Sequence, residues 1–323
     1  MATVRGDFVF TEEEEKQAAE KLKDAMDGLG TNEEAIVEVL VNHNNEQRQK
    51  IKGAYAAAYG KPLVDDLISE LTGDLEETIV ALMMTPRELD AKLLHDAISG
   101  IGTEETMLIG VLCTKTNDEI DAIKEAYKKL YDADLNEEIQ SDTSGYFRRL
   151  MFSLVSGKRQ EGMADYDRAH EEAQKLIDAG VNQLGTDECD FNAVLCLSSH
   201  EQLQCVFQKY EELREGCTIE DDIKSEVGSD LQQGYLSIVK VARNRHEFFA
   251  DWLYNATTGV WGTEDSELIG IVVSRSEVDL EYIKSVFEQK YEKTLYETVD
   301  GECSGYYKRC LLSLIVGKYV APE

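Results

Sequence analysis

Four short loops in this sequence combine glycine, a large apolar residue and threonine, and each loop is paired with a distant acid. The first loop covers residues 26–31 and has the sequence Met-Asp-Gly-Leu-Gly-Thr. Related segments occur at 98–103, 180–186 and 257–263. About 40 positions after each loop stands an acidic residue, and these acids are Glu70, Asp142, Glu226 and Glu302. This repeated pairing is the main functional signal in the chain.

The residue types in this pairing suit a hard cation. Calcium takes six to eight oxygen ligands, which include backbone carbonyl groups and bidentate carboxylates. Glycine lets a loop turn its carbonyl groups inward without a steric penalty. The pattern therefore predicts sites at which loop carbonyls and one carboxylate together bind Ca²⁺.

The first loop also has a purely structural interpretation. Gly28 can end one helix in a left-handed conformation, with Leu29 as the accompanying apolar contact. Thr31 would then cap the next helix, and Glu34 would complete a capping box. This interpretation accounts for a single loop, but it does not explain why an acid recurs at a nearly constant distance.

Helices must position these loops and acids. In the first repeat, apolar residues recur at helical spacing through five successive segments, and the chain has no sustained period-two alternation. The sequence therefore predicts an all-α protein of four homologous five-helix repeats, each of roughly 70 residues, that bury faces against one another. Three helices separate each loop from its acid, so the two can meet only if one intervening helix lies crosswise.

The spacing of the loops also predicts the domain boundaries. A charged segment with two glycines lengthens the interval between the second and third loops, and we interpret it as a linker that joins two halves. The predicted order is a short N-terminal segment, repeats 1 and 2, the linker, and repeats 3 and 4: 1–11, 12–84, 85–157, 158–168, 169–244 and 245–319.

The composition restricts the partners of the protein. Acidic residues number 64 and basic residues 33, which gives a formal net charge of −31. Nucleic acids and bare anionic lipids need cationic groups for association, so we expect no nucleic-acid partner. Divalent cations are the natural partners of such a surface.

Other sequence features indicate the class and location of the protein. The apolar runs are far shorter than the 18 or so residues that a membrane-spanning helix needs, and the first residues lack a signal-peptide core. The seven cysteines lack framework spacing, which favours a reducing, cytoplasmic location. No nucleophile with a plausible base, zinc-protease motif or nucleotide-binding loop is present, so we do not expect an enzyme.

These loops and acids also resemble those of a known family. The four Gly-x-Gly-Thr-type loops, their paired acids and the segments 142–145 and 274–280 closely resemble the annexins, from about residue 12 onward. The resemblance implies a crosswise third helix in each repeat and a slightly curved disc of four repeats. It also implies calcium loops on the convex face, which meets the membrane.

The resemblance implies a set of calcium ligands for each repeat. In each set three loop carbonyls and one carboxylate bind the ion. The third and fourth loops are one residue longer than the first two. The implied ligands are Met26, Gly28, Gly30 and Glu70 in repeat 1, Ile98, Gly100, Gly102 and Asp142 in repeat 2, Gly180, Gln183, Gly185 and Glu226 in repeat 3, and Thr257, Val260, Gly262 and Glu302 in repeat 4.

A large apolar residue precedes the second glycine of every loop. Such residues either pack against a helix end or enter the headgroup region of a membrane. We predict membrane contact at these positions, which are Leu29, Ile101, Leu184 and Trp261.

These observations lead to one main functional prediction and two alternatives. We predict calcium-dependent binding of anionic phospholipid, with calcium bridging loop carbonyls, carboxylate and lipid phosphate, by a cytoplasmic protein that attaches reversibly as a peripheral membrane protein. The family often carries a lysine where this chain has Asp27 and Ser99, so binding without calcium is not expected. Self-association on membranes is a further expectation. The alternatives are a calcium-independent helical scaffold for protein partners and ion conduction involving Arg275.

Overall fold

The computed structural model describes residues 1–6, 9–100, 102–180, 187–259 and 262–321. Within these ranges the secondary structure is helical, apart from one isolated bridge between Gly259 and Gly262. The predicted all-α class is therefore confirmed. None of the helices in these ranges combines the length and the apolar character that crossing a bilayer requires.

Each repeat contains five helices, as the sequence predicted. Repeat 1 has α1 (Glu12–Met26), α2 (Glu33–Val41), α3 (Asn45–Tyr59), α4 (Leu63–Glu70) and α5 (Gly73–Met83). Repeat 2 has α6 (Pro86–Ile98), α7 (Glu105–Leu112), α8 (Asn117–Tyr131), α9 (Leu135–Asp142) and α10 (Gly145–Val155).

The second half of the chain repeats this pattern with one helix shared between repeats. Asn244 has non-helical backbone angles, φ −157° and ψ 96°, which divide the long helix into the last helix of repeat 3 and the first of repeat 4. The helices are α11 (Tyr166–Ala179), α12 (Glu188–Leu197), α13 (His200–Leu213), α14 (Ile219–Glu226), α15 (Ser229–Thr257), α16 (Asp265–Ser276), α17 (Leu280–Tyr291), α18 (Leu295–Glu302) and α19 (Gly305–Val316).

Helix α8 shows why these segments are helical. Thr116 and Glu119 form a reciprocal capping box that satisfies backbone amides at the start of the helix. Ile120, Ile123 and Tyr127 recur at helical spacing and are buried, so one face of α8 contributes to the core. Capping fixes where the helix begins, and apolar spacing fixes which face packs.

The described chain divides into two compact units. The first comprises Met1–Leu89 and Phe249–Glu323, which contain repeats 1 and 4, and the second comprises Asp90–Phe248, which contains repeats 2 and 3. The segment 158–168 lies inside the second unit, where it connects repeats 2 and 3. The compact units therefore differ from the two halves expected from the order of the repeats along the chain.

Contacts between distant parts of the chain hold the first unit together. Helix α16 packs against α5 and α19, and α19 also packs against α2. Arg48 of α3 is only 1% exposed and forms an ion pair with Glu277, which follows α16. The second carboxylate oxygen of Glu277 accepts a hydrogen bond from the backbone amide of Asn45 at 2.9 Å. Glu277 therefore joins repeat 4 to the first turn of α3.

Candidate calcium-binding loops

The loop and the acid of repeat 1 meet in the structure. Helix α1 ends at Met26, α2 begins at Glu33 and α4 ends at Glu70. The hydroxyl group of Thr31 donates a hydrogen bond to a carboxylate oxygen of Glu70 at 2.6 Å. Both α1 and α4 therefore end at the loop, whereas α2 begins there and leads the chain away. Helix α3 must then begin and end at the far end of the repeat, so it lies across the other helices. This topology removes the obstacle that simple up-and-down packing would create.

Repeat 2 has the same arrangement. The hydroxyl group of Thr103 donates to a carboxylate oxygen of Asp142 at 2.6 Å. Asp142 is the last residue of α9, just as Glu70 is the last residue of α4. Two repeats therefore bring a glycine loop and its distant acid together through the same contact.

A backbone hydrogen bond closes each of the four loops. In every case the amide at or next to the start of the second helix donates to a carbonyl near the end of the first. The bonded residues are one position further apart in repeats 3 and 4 than in repeats 1 and 2, which agrees with the loop lengths seen in the sequence. The four bonds are Asn32 to Ala25 at 2.8 Å, Glu104 to Ala97 at 2.9 Å, Asp187 to Ala179 at 2.7 Å and Glu264 to Ala256 at 2.8 Å.

The first loop presents oxygen atoms to the surface. Gly28 and Gly30 have φ values of +108° and +89°, a backbone region that side-chain-bearing residues rarely occupy. Among the described residues, no backbone amide donates to the carbonyl groups of these two glycines. Two free carbonyls beside the exposed carboxylate of Glu70 form an all-oxygen donor set, which fits Ca²⁺.

The described part of the chain has no cluster of three or more His, Cys, Asp or Glu residues that could hold a metal ion. Sites with one carboxylate and several carbonyls contain no such cluster, so this finding does not oppose the predicted ligand sets.

The structural interpretation of Thr31 and Glu34 was wrong. The N-cap of α2 is Asn32, whose side-chain oxygen accepts a hydrogen bond from the amide of Ala35 at 3.1 Å. Glu34 instead accepts a hydrogen bond from the hydroxyl group of Tyr319 at 2.9 Å. A local capping rule cannot account for these partners, because Glu70 and Tyr319 are far from the loop in sequence.

The sites of repeats 3 and 4 are described in part. Glu226 and Glu302 are exposed at the ends of α14 and α18. Thr257 is 2% exposed, and its hydroxyl group donates to the carbonyl of Leu253 at 2.9 Å. Gly262 has φ +114°. The predicted ligands Gln183, Gly185 and Val260 lie outside the described residues.

The predicted membrane contacts are described at one loop. Leu29 is 109% exposed, so its side chain projects fully into solvent. A fully exposed leucine between two glycines has no packing partner, which contradicts its role as a helix-end contact. Ile101, Leu184 and Trp261 lie outside the described residues.

Acidic side chains surround the two acids of the second unit. Asp142 and Glu226 line one open cavity of about 550 Å³. Glu105, Glu188 and Asp230 line the same cavity. The spacing of loops and acids along the sequence gives no indication that three further carboxylates converge beside these two acids. The cavity therefore favours cations.

A second acidic region lies in the first unit beside the acid of repeat 4. The hydroxyl group of Tyr307 donates to Asp265 at 2.8 Å. Burial raises the pKa of Asp74, and the neighbouring Asp265 raises it further. Burial also raises the pKa of the Cys303 thiol to about 11, and the charges of Asp265 and Glu302 add to that rise. These shifts follow from burial together with concentrated negative charge.

Comparison with known proteins identifies the family. A family model described as Annexin matches residues 17–82, 89–154, 171–238 and 248–314, which include most of the chain. The chain belongs to the annexin family. The four matches agree with the four loop and acid pairs, because each match contains one pair.

Similar proteins support this assignment over nearly the whole chain. This annexin is 45% identical over 298 residues to Annexin A13 of Homo sapiens, covering 92% of this chain and 94% of that protein. It is 46% identical over 302 residues to Annexin B10 of Drosophila melanogaster, covering 93% and 94%.

Solved structures agree with the fold. The structure of annexin III matches with a TM-score of 0.94 at 38% identity, covering 98% of this chain and 97% of the other. The structure of calcium-bound annexin (Sm)1 matches with a TM-score of 0.86 at 28% identity, covering 99% and 94%. Membership of the family supports calcium-dependent phospholipid binding as the general function of this annexin, with Ca²⁺ as its ligand.

Proposed function

We propose that this annexin binds anionic phospholipid membranes through Ca²⁺ held between loop carbonyls, one carboxylate of each repeat and a lipid phosphate. The observation that carries the proposal is the contact of the Thr31 and Thr103 hydroxyl groups with Glu70 and Asp142, at 2.6 Å in both repeats. This contact holds the acid beside a loop in which, among the described residues, no backbone amide donates to the glycine carbonyl groups. The related annexin (Sm)1 has been solved with calcium bound.

The number of oxygen ligands explains why lipid would be needed. Three carbonyls and a bidentate carboxylate supply about five oxygens, which leaves roughly two of calcium's coordination positions for water or phosphate. One carboxylate per site gives weak affinity in solution. Lipid that completes the coordination sphere raises the affinity for calcium, and calcium raises the affinity for lipid by the same factor.

Charge requires that the bridging is local. Four calcium ions would leave a chain with a formal net charge of −31 strongly negative. Attraction between the whole protein and an anionic membrane therefore cannot hold the complex together. Contact depends on the loops, where the exposed Leu29 side chain adds apolar area that a headgroup region can bury.

The remaining parts of the proposal concern location and chemistry. We propose a cytoplasmic, non-catalytic protein that attaches to membranes reversibly when calcium rises. Each implied ligand acts by supplying an oxygen atom, and none of these roles requires a group that titrates near neutral pH.

Vesicle cosedimentation across calcium concentrations tests the proposal. The double variant Glu70→Gln/Asp142→Asn should raise the calcium concentration needed for half-maximal binding to phosphatidylserine-containing vesicles by at least about tenfold, because the sites of repeats 1 and 2 both lose their charged ligand. The matched control is Glu46→Gln, which removes an exposed carboxylate whose neighbour is Lys50 on α3. This control should bind as the unmodified chain does.

Two results would contradict the proposal. One is strong cosedimentation in the presence of a chelator, which would show that attachment does not need calcium. The other is unchanged calcium dependence in the double variant, which would favour a calcium-independent scaffold for protein partners.

A further inference from the structure

The threonine that ends each loop forms the same contact in two repeats. Thr31 donates to Glu70, and Thr103 donates to Asp142, each at 2.6 Å. In both pairs the same hydroxyl oxygen also lies close to the backbone carbonyl oxygen of the acid, at 3.5 Å and 3.4 Å. The hydroxyl group therefore contacts the last residue of the helix and not the side chain alone.

Repeat 4 lacks this contact although it has the same residue types. Thr263 ends its loop and Glu302 ends α18, and the structure describes both residues. No hydrogen bond joins these two side chains, although Thr263, like Thr31, is half-buried. The closing hydrogen bond of this loop, from Glu264 to Ala256, spans one residue more than the corresponding bonds in repeats 1 and 2. The longer loop is thus the structural difference that accompanies the loss of the contact.

We propose that Thr31 and Thr103 are positioning residues that hold the carboxylates of Glu70 and Asp142 against their loops before calcium binds. This inference rests on the proposed function, because it assigns these carboxylates to calcium. It predicts that repeats 1 and 2 take up calcium at lower concentrations than repeat 4. Neither threonine belongs to the implied ligand sets.

The geometry leaves the carboxylate free to bind an ion. An ionised carboxylate has two oxygens with about four lone-pair directions, and the threonine uses one of them. A hydrogen bond from outside the ligand set fixes the orientation of a metal-binding side chain, and loss of such a partner typically lowers metal affinity 10–100-fold. Glu70 has one more rotatable bond than Asp142, so removal of Thr31 should have the larger effect.

Calorimetric titration with calcium alone, in chains that retain one site, tests the inference. The background for repeat 1 carries Asp142→Asn, Glu226→Gln and Glu302→Gln. In this background Thr31→Val should weaken calcium binding about tenfold. Thr31→Ser keeps the hydroxyl group and should restore most of the affinity.

Repeat 4 provides the matched control. The background for this repeat carries Glu70→Gln, Asp142→Asn and Glu226→Gln. Here Thr263→Val should leave calcium affinity unchanged, because no hydrogen bond links Thr263 to Glu302. Melting temperatures measured in chelator should be equal for the valine and serine variants, which separates an effect on calcium from an effect on folding.

The outcomes separate this inference from the proposed function. If Glu70→Gln in the repeat 1 background leaves calcium binding intact, the proposed site itself is wrong. If Glu70→Gln abolishes binding while Thr31→Val has no effect or increases affinity, only the positioning role is wrong. An increase would mean that the hydroxyl group competes with calcium for the same lone pair.

Discussion

The ion pair between Arg48 and Glu277 gives a sharp test of how repeats 1 and 4 are joined. The Arg48 side chain is 1% exposed, and its Nε and Nη1 atoms have no hydrogen-bond partner in the described part of the chain. Burial lowers the pKa of this guanidinium, and the charge of Glu277 opposes that shift. Glu277→Gln would therefore leave a buried charge without its counter-ion.

The structure sets the expected magnitude. Breaking a buried ion pair by removing one partner typically costs about 3–5 kcal/mol. The Glu277 side chain is 26% exposed, so water can partly replace the lost charge. Glutamine can still accept the hydrogen bond from the amide of Asn45. We therefore expect Glu277→Gln to lower the free energy of unfolding by about 3 kcal/mol, the low end of this range.

A double-mutant cycle in urea measures this effect. The four chains are the unmodified protein, Glu277→Gln, Arg48→Met and the double variant. Replacing a buried ion pair by groups without charge is often close to neutral, so the double variant should lie within about 1 kcal/mol of the unmodified protein. A loss below about 1 kcal/mol for Glu277→Gln, or additive losses in the double variant, would refute the argument.

Two further predictions concern the membrane surface and pH. Leu29→Ser should weaken vesicle binding in calcium roughly thirtyfold, because about 2 kcal/mol of apolar burial is lost. The control Met163→Ser changes a side chain that is also fully exposed but lies outside the loops, and it should have no effect. Burial and the nearby Arg159 lower the pKa of His200 to about 4, so the unfolded chain takes up a proton below pH 6.5 while the folded chain does not until about pH 4. Stability should therefore fall by at most ~3 kcal/mol between these pH values. His200→Gln should reduce this fall in urea unfolding measured at pH 7 and pH 4.5, and an identical pH dependence in the variant would contradict the assignment.

The helical architecture could be predicted from sequence because its causes are local. In α8, the capping pair Thr116 and Glu119 and the apolar spacing of Ile120 and Ile123 lie within a few residues of one another. Each of these signals acts over one or two helical turns. The recurrence of loops and acids then revealed four copies of one structural unit.

The partners of single residues could not be predicted in the same way. Thr31 looked like a helix cap, but its hydroxyl group donates to Glu70, and Asn32 caps the helix instead. Asparagine and threonine are both good caps, so the local preference did not decide between them. The contact of Thr31 with the distant Glu70 distinguishes the two residues, and only the folded repeat brings that acid close.

The packing of the repeats against one another also could not be predicted from the sequence. Repeats 1 and 4 form one compact unit although the other two repeats separate them along the chain. Contacts such as that of Arg48 with Glu277 join these two repeats, and periodicity carries no information about them.

The pairing of repeats has a consequence for redundancy. Repeats 1 and 2 have the shorter loops, and repeats 3 and 4 have the longer ones. Because the compact units pair repeat 1 with repeat 4 and repeat 2 with repeat 3, each unit carries one loop of each length. Loss of both loops in one unit would therefore still leave one shorter and one longer loop in the other unit.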